Sequence, residues 1–315
     1  MFVGHFLAAF VLAASVAAWR GWPEERALAI GVVAGSFATL PDVDMLYAVV
    51  GLVGSLEGAF VTSDAFWNVA NEIHRGATHS LVVGVFAAIG FAAWRARDRY
   101  GSQAGTLGGL ILGGLTLIVT VVSGIAPGAV VAAFVLVGVV LVTFAERVDL
   151  GSRAVLGAGA LGLLSHPFGD VFAGPSPALF YPLPIEAGLL NGRILLNSDP
   201  TLHLLGAFFI ELTIIWAGFL VVARLRGWRI KRHINRRAAL GIAYASAIFA
   251  IPAPTVETAS PFVFSVLTVG FIGTPGRSSW REDRSTQLID AITTALAAVT
   301  LAAAAYAVTY LILLA

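Results

Sequence analysis

Residues 104–123, AGTLGGLILGGLTLIVTVVS, and 128–145, GAVVAAFVLVGVVLVTFA, carry no charged side chain. A helix crosses the ~30 Å hydrocarbon core of a bilayer in about 20 apolar residues, so the two runs read as neighbouring membrane spans. Further apolar runs fall at about 2–19, 27–54, 79–94, 153–172, 202–223, 238–252, 259–273 and 287–314. Together they predict an all-α, polytopic membrane bundle of about ten transmembrane helices. Breaks are expected near Pro41 and Pro167, where proline removes a backbone donor. The whole chain agrees with this solvent, being 58% hydrophobic and 12% charged with a mean hydropathy of +0.88. Soluble domains carry about 25% charged residues.

The few charges orient the bundle. With the N-terminus outside, inner loops hold Arg20 and Arg26; Arg95, Arg97 and Arg99; Arg147 and Arg153; the run from Arg224 to Arg237; and Arg277, Arg281 and Arg284. Only Arg75 and Arg193 fall on the other side, the asymmetry expected when basic loops stay cytoplasmic. The same alternation carries His5, His74, His79, His166, Asp170 and His203 to or near the non-cytoplasmic face, and Asp42 and Asp44 can approach it. The spans were chosen on hydropathy alone, so this convergence is independent support for one site in a multi-pass protein of the cell membrane. The run Arg224–Arg237 reads as a topology determinant facing anionic lipid, and no nucleic-acid partner is expected. Gly101, Gly105, Gly109 and Gly113 recur every four residues, a pattern for close helix packing.

Three short stretches carry the chemistry: Pro41-Asp42-Val43-Asp44, His74-Arg75-Gly76-Ala77-Thr78-His79-Ser80 and His166-Pro167-Phe168-Gly169-Asp170. Imidazole with carboxylate is the donor set of zinc and similar divalent ions, and with no cysteine a thiolate site is excluded. His166 and Asp170, four apart, share a helix face, while Pro167 predicts a kink that exposes His166 at the membrane end. Asp42 and Asp44 are turned by about 200° on a regular helix. One is expected to bind metal and the other to orient a ligand histidine, or the pair caps a helix; which of the two binds is open. His74 and His79 diverge by about 140° on a helix, so a break at Gly76 and an N-cap at Thr78 are needed to fold both over one site. Arg75 is placed to hold a phosphoryl oxygen, or else to pair with Glu72. His5 alone reads as an interfacial side chain. His203 and Glu211, eight apart, form a second polar strip.

Taken in order, His5, Pro41-Asp42-Val43-Asp44, the His74–Ser80 motif and Ser165-His166-Pro167-Phe168-Gly169-Asp170 resemble the YdjM-type membrane-bound metal-dependent hydrolases, also described as inner-membrane-associated hydrolases. The resemblance covers about residues 1–185. It implies a hydrolase core there, with residues 186–315 as additional helices of the same membrane domain. The order His, Pro-Asp, His, His-x-x-x-Asp is more faintly similar to zinc-dependent phospholipases C, which points to phosphoesters.

Residue chemistry supports metal binding, and the resemblance implies hydrolysis. The expected ligands of a divalent ion, zinc foremost, are His5, Asp42, His74, His79, His166 and Asp170. Asp44, Arg75 and Asp170 are the expected catalytic groups. The expected partners are membrane lipids and a lipid-like or phosphoester substrate. Two other classes use similar residues: a transporter, with polar groups at the bilayer midplane, and a metal-stabilised scaffold or sensor with every coordination position filled.

Overall fold

An alanine-rich apolar stretch makes the first helix, α1 (Phe2–Trp19), and Gly21 ends it. Its left-handed φ of 75° lets the amides of Gly21 and Trp22 return to the carbonyls of Ala18 and Ala17, each at 3.0 Å, a pair of bonds that closes a helix C-terminus. The chain reverses into α2 (Glu24–Thr39), whose first turn places Glu24 and Glu25 at the positive end of the helix dipole. This computed structural model describes residues 2–52, 74–172, 176–185, 188, 192–274 and 283–313, and among them every regular element is helical. A 3-10 segment, Pro41–Leu52, follows α2, and a 3-10 turn, Ala77–His79, precedes α3 (Leu81–Tyr100). Then come α4 (Ser102–Ser123), α5 (Ile125–Arg147), α6 (Ser152–Asp170), α7 (Pro200–Leu225), α8 (Ser260–Thr268) and α9 (Arg284–Leu313), with further 3-10 segments at Arg236–Phe249 and Val269–Gly273. The chain forms two units, residues 1–194 and 195–315.

In the first unit α6 packs against α1, α2 and α3, and α3, α4 and α5 follow as successive neighbours around Phe37, Phe91 and Phe134. Small residues set how closely the helices meet. A Cβ added at Gly162 of α6 would lie 2.5 Å from the carbonyl oxygen of Ala34 on α2, so only glycine permits this approach. The stripe expected from Gly101 to Gly113 behaves otherwise: nothing lies within 4 Å of a Cβ at Gly101 or Gly113, and the close contact in α4 is Gly108, 2.5 Å from the amide nitrogen of Trp94. A four-residue spacing slips around a 3.6-residue helix, and the packed face follows the neighbour.

In the second unit, Asp199 caps α7 by accepting from the amide of Leu202 at 2.8 Å. The 3-10 segment Arg236–Phe249 meets α9 where a Cβ at Gly241 would collide with the Ala298 carbonyl. Phe262, Val266 and Tyr306 form the buried centre.

Among the described residues, four helices are long and apolar enough to cross a membrane: α4, α5, α7 and α9. Val3–Trp19 and Ser260–Gly273 are shorter apolar helical stretches. The described residues thus bear out a helical membrane protein with four such helices and do not confirm the expected count of about ten. The run at 27–54 splits at Pro41, the last turns of α3 carry Arg95, Arg97, Asp98 and Arg99, and the run at 238–252 is wound as a 3-10 segment rather than an α-helix.

Candidate metal centre

The α2–α6 contact through Gly162 brings the end of α2 beside the last turns of α6, and the site is built around that junction. His166 and Asp170 share the inner face of α6. Pro167 does not break this helix, which runs through it to Asp170, and His166 is fully buried rather than exposed. So near the C-terminus the proline removes only one ladder bond, and the packing against α2 holds the remaining turn. Gly169 leaves room for His5 of α1, whose ring a Cβ there would overlap. The Nε2 of His5 lies 3.1 Å from Asp170 Oδ1.

At Pro41 the chain changes pitch, and Asp42 and Asp44 point to different tasks. Both oxygens of the fully buried Asp44 are engaged. Its Oδ1 is 2.9 Å from His74 Nδ1, and its Oδ2 accepts from the hydroxyl of Thr78 at 3.0 Å and the amide of Arg75 at 3.3 Å. His79 Nδ1 stands 3.3 Å from the same oxygen. One carboxylate thus fastens the whole His74–His79 loop. That loop turns through Arg75, at a left-handed φ of 68°, into the 3-10 turn Ala77–His79. The cap of α3 is Ser80 and not Thr78: Ser80 Oγ accepts from the amides of Val82 and Val83, because the Thr78 hydroxyl is held by Asp44. A distant strap clamps the loop from outside. Arg75 O accepts from the amide of Ala178 at 2.9 Å, Leu81 N donates to Leu179 O at 2.8 Å, and Ser80 Oγ donates to Tyr181 O at 2.7 Å.

The hydrogen bonds assign the imidazole protons. His166 Nδ1 is 2.6 Å from the carbonyl of Ala38, which can only accept, so Nδ1 bears the proton and Nε2 is a bare lone pair. Thr78 gives its proton to Asp44, so its oxygen, 3.1 Å from His79 Nδ1, accepts there, and in the neutral ring His79 Nε2 is bare as well. These two lone pairs face each other at 2.9 Å. Asp170 Oδ2 is 3.2 Å from His79 Nε2 and 3.5 Å from His166 Nε2, and Asp42 Oδ1 is 3.8 and 3.5 Å from the same nitrogens. Four acceptor atoms therefore converge in a buried space. Asp170 Oδ2 and Asp42 Oδ2 are buried without a hydrogen-bond partner. With both rings neutral such a set lacks a donor, and a proton or a metal cation can supply the missing positive charge. A tetrahedral ion with ligands at ~2.0–2.1 Å separates them by about 3.3 Å, in the middle of the distances observed, so these residues fit a divalent ion.

All eight expected site residues, His5, Asp42, Asp44, His74, Arg75, His79, His166 and Asp170, meet in this one cluster. His5, Asp42 and His166, and Asp42, His74 and His79, also form triplets at metal-binding spacing, as do His79, His166 and Asp170. Arg75 reaches Asp170 Oδ1 at 3.9 Å. Glu72, the rival partner for Arg75, lies outside the described residues. The side chains of His74 and Arg75 are each 13% exposed, whereas those of Asp44, His79 and His166 are fully buried, which marks the open side of the cluster. His203 is in the second unit, where its Nδ1 accepts from the amide of Leu196 at 3.1 Å, and Glu211 lies two turns further along α7. The parts that the motifs did not indicate are the Ala38 carbonyl, the Thr78 bridge, the Ser80 cap and the 178–181 strap. Of these only the hydroxyls gave a local signal.

The sequence model of the YdjM inner membrane protein family matches residues 1–253, which includes every member of the cluster. No curated protein and no solved structure matches the chain.

Proposed function

The chain belongs to the YdjM inner membrane protein family, and on that premise we propose that it is a membrane-bound, metal-dependent hydrolase acting on a phosphoester or ester of a lipid or lipid-linked substrate. The observation that carries this reading is the convergence of two imidazole nitrogens and two carboxylate oxygens, His79 Nε2, His166 Nε2, Asp170 Oδ2 and Asp42 Oδ1, in one buried space. His79, His166 and Asp170 hold the ion, with zinc favoured by the nitrogen and oxygen donors. The ion supplies Lewis acidity, lowering the pKa of water and polarising the substrate oxygen.

The chain's own residues do the rest. Asp42, with an oxygen that has no hydrogen-bond partner, takes the proton of the attacking water. Asp44, saturated by His74, Arg75 and Thr78, holds the tautomers of His74 and His79 rather than serving as the base. His5 fixes Asp170 from behind. Arg75, on the open side, stabilises charge developing on the substrate oxygen. The asymmetry of the basic loops supports a non-cytoplasmic N-terminus and site.

Four protein donors also suit a closed, non-catalytic metal site, and one sample separates the two readings. Purified protein should contain a divalent metal by elemental analysis and should hydrolyse a member of a phospholipid and phosphoester panel. Metal without turnover across the panel favours the scaffold. Absence of bound metal after loading with zinc removes both.

A further inference from the structure

The first unit has a second concavity beside the metal centre. A cavity of about 200 Å³ is bounded by Ala77 and Thr78 of the ligand-bearing loop, by Pro127, Val130 and Val131 of α5, and by Ser123 and Tyr181. Its walls carry no charged side chain. The hydroxyls of Ser123 and Tyr181 bond each other at 2.7 Å, and that of Thr78 is held by Asp44. The space holds no charged partner for an anion, whereas a hydrocarbon finds Val130 and Val131. The charges lie just behind the loop wall, because Thr78 touches both Asp44 and His79. The facing ends of α4 and α5 bear Val121, Val122 and Ile125 exposed, and both helices are long and apolar enough to cross a membrane. A ligand can therefore arrive from the lipid.

We infer that this cavity is the subsite for the hydrocarbon chain of a lipid phosphoester, occupied by the segment next to the reacting group while the phosphate lies at the His/Asp cluster. The inference rests on the hydrolase reading and assigns it a substrate with one chain close to the scissile bond. The volume is below the ~300–1,000 Å³ of pockets that enclose a whole small molecule, so a segment of a single chain fits and a pair of tails does not.

The test uses zinc-loaded protein in nanodiscs, with empty nanodiscs as the partition control. The probes are inorganic phosphate and the alkyl phosphates from methyl to hexyl. Inorganic phosphate should bind, and affinity should rise roughly fourfold per methylene until the cavity is full, the equivalent of ~0.8 kcal/mol per buried CH₂. Val130→Phe should stop the rise at a shorter chain, and Val131→Ala should extend it to a longer one. Neither should change the affinity for inorganic phosphate. A flat series in the unmodified protein, or a chain-length optimum that Val131→Ala leaves in place, overturns the subsite even if Val130→Phe fails to fold. Failure of inorganic phosphate to bind, with the chain-length dependence intact, instead sinks the hydrolase reading and leaves the cavity as a hydrocarbon site.

Discussion

The two units answer the same problem, polar side chains in an apolar helical bundle, in opposite ways. In the second unit several polar groups are each paired with a nearby carbonyl, amide or hydroxyl. Thr213, Thr300 and Thr309 return their hydroxyls to the carbonyl four residues back, Tyr244 pairs with Ser265, Trp216 with Thr300, and His203 with the Leu196 amide. In the first unit, by contrast, protons are consumed on the outside of the cluster by Ala38, Thr78 and Asp44, so that bare lone pairs are left facing one another within it. A buried histidine is thus no indication of a site. What distinguishes one is where the second nitrogen points once the first is satisfied.

The largest effect should come from breaking the convergence itself. His79→Ala combined with His166→Ala should abolish metal retention, measured by elemental analysis, and lower the melting temperature in zinc, since an ion bound only by the folded state stabilises it. His203→Ala should leave metal content unchanged. Equal metal loss in the two variants would erase the contrast between the units, and full retention in the double variant would rule out the site.

Arg75→Lys comes next. It keeps the charge and loses the planar fork, so turnover on any substrate found should fall by roughly two to three orders of magnitude with metal content and melting temperature nearly intact. Unchanged turnover would remove Arg75 from the chemistry. For Asp44→Asn, competition with a chelator should show metal affinity reduced by about 10- to 100-fold, the range for loss of a group that orients metal ligands. An unchanged affinity would mean that Asp44 only fastens the loop.

The smallest effects concern the glycines of α6. Gly162→Ala forces a Cβ onto the Ala34 carbonyl and should destabilise the first unit by about 1–3 kcal/mol, with weaker metal binding, because Ala38 and His166 are drawn apart. A Cβ at Gly157 meets nothing within 4 Å, so Gly157→Ala should stabilise by about 0.5–1 kcal/mol. Similar melting temperatures for the two would show that the close approach of α2 and α6 is not what assembles the site.

The motifs were readable because histidine and aspartate are rare in an apolar chain and alternate spans carry them toward one end. Pro41 likewise announced a change in the backbone. What could not be read locally depended on distant partners. Thr78 and Ser80 are both N-cap types, and Asp44, thirty-four residues before Thr78, takes the Thr78 hydroxyl while Ser80 caps the helix. Pro167 argues for a break until α2 is packed against the same turn. Hydropathy marks a run as apolar, but it does not reveal that residues 236–249 wind as a 3-10 segment or that α3 continues through Arg95, Arg97 and Arg99 to Tyr100.

The strap also sets a timetable. Residues 74–80 leave the ribosome well before Ala178, Leu179 and Tyr181, which hold them in place. At about 5–20 residues per second, roughly a hundred residues of intervening chain amount to some 5–20 s. For most of that interval the newborn protein carries His74, Arg75 and His79 without His166 or Asp170 to complete them. On the proposed metal-dependent reading, loading is then a late step of biogenesis, and a chain truncated before His166 should emerge as an inserted membrane protein that retains no ion.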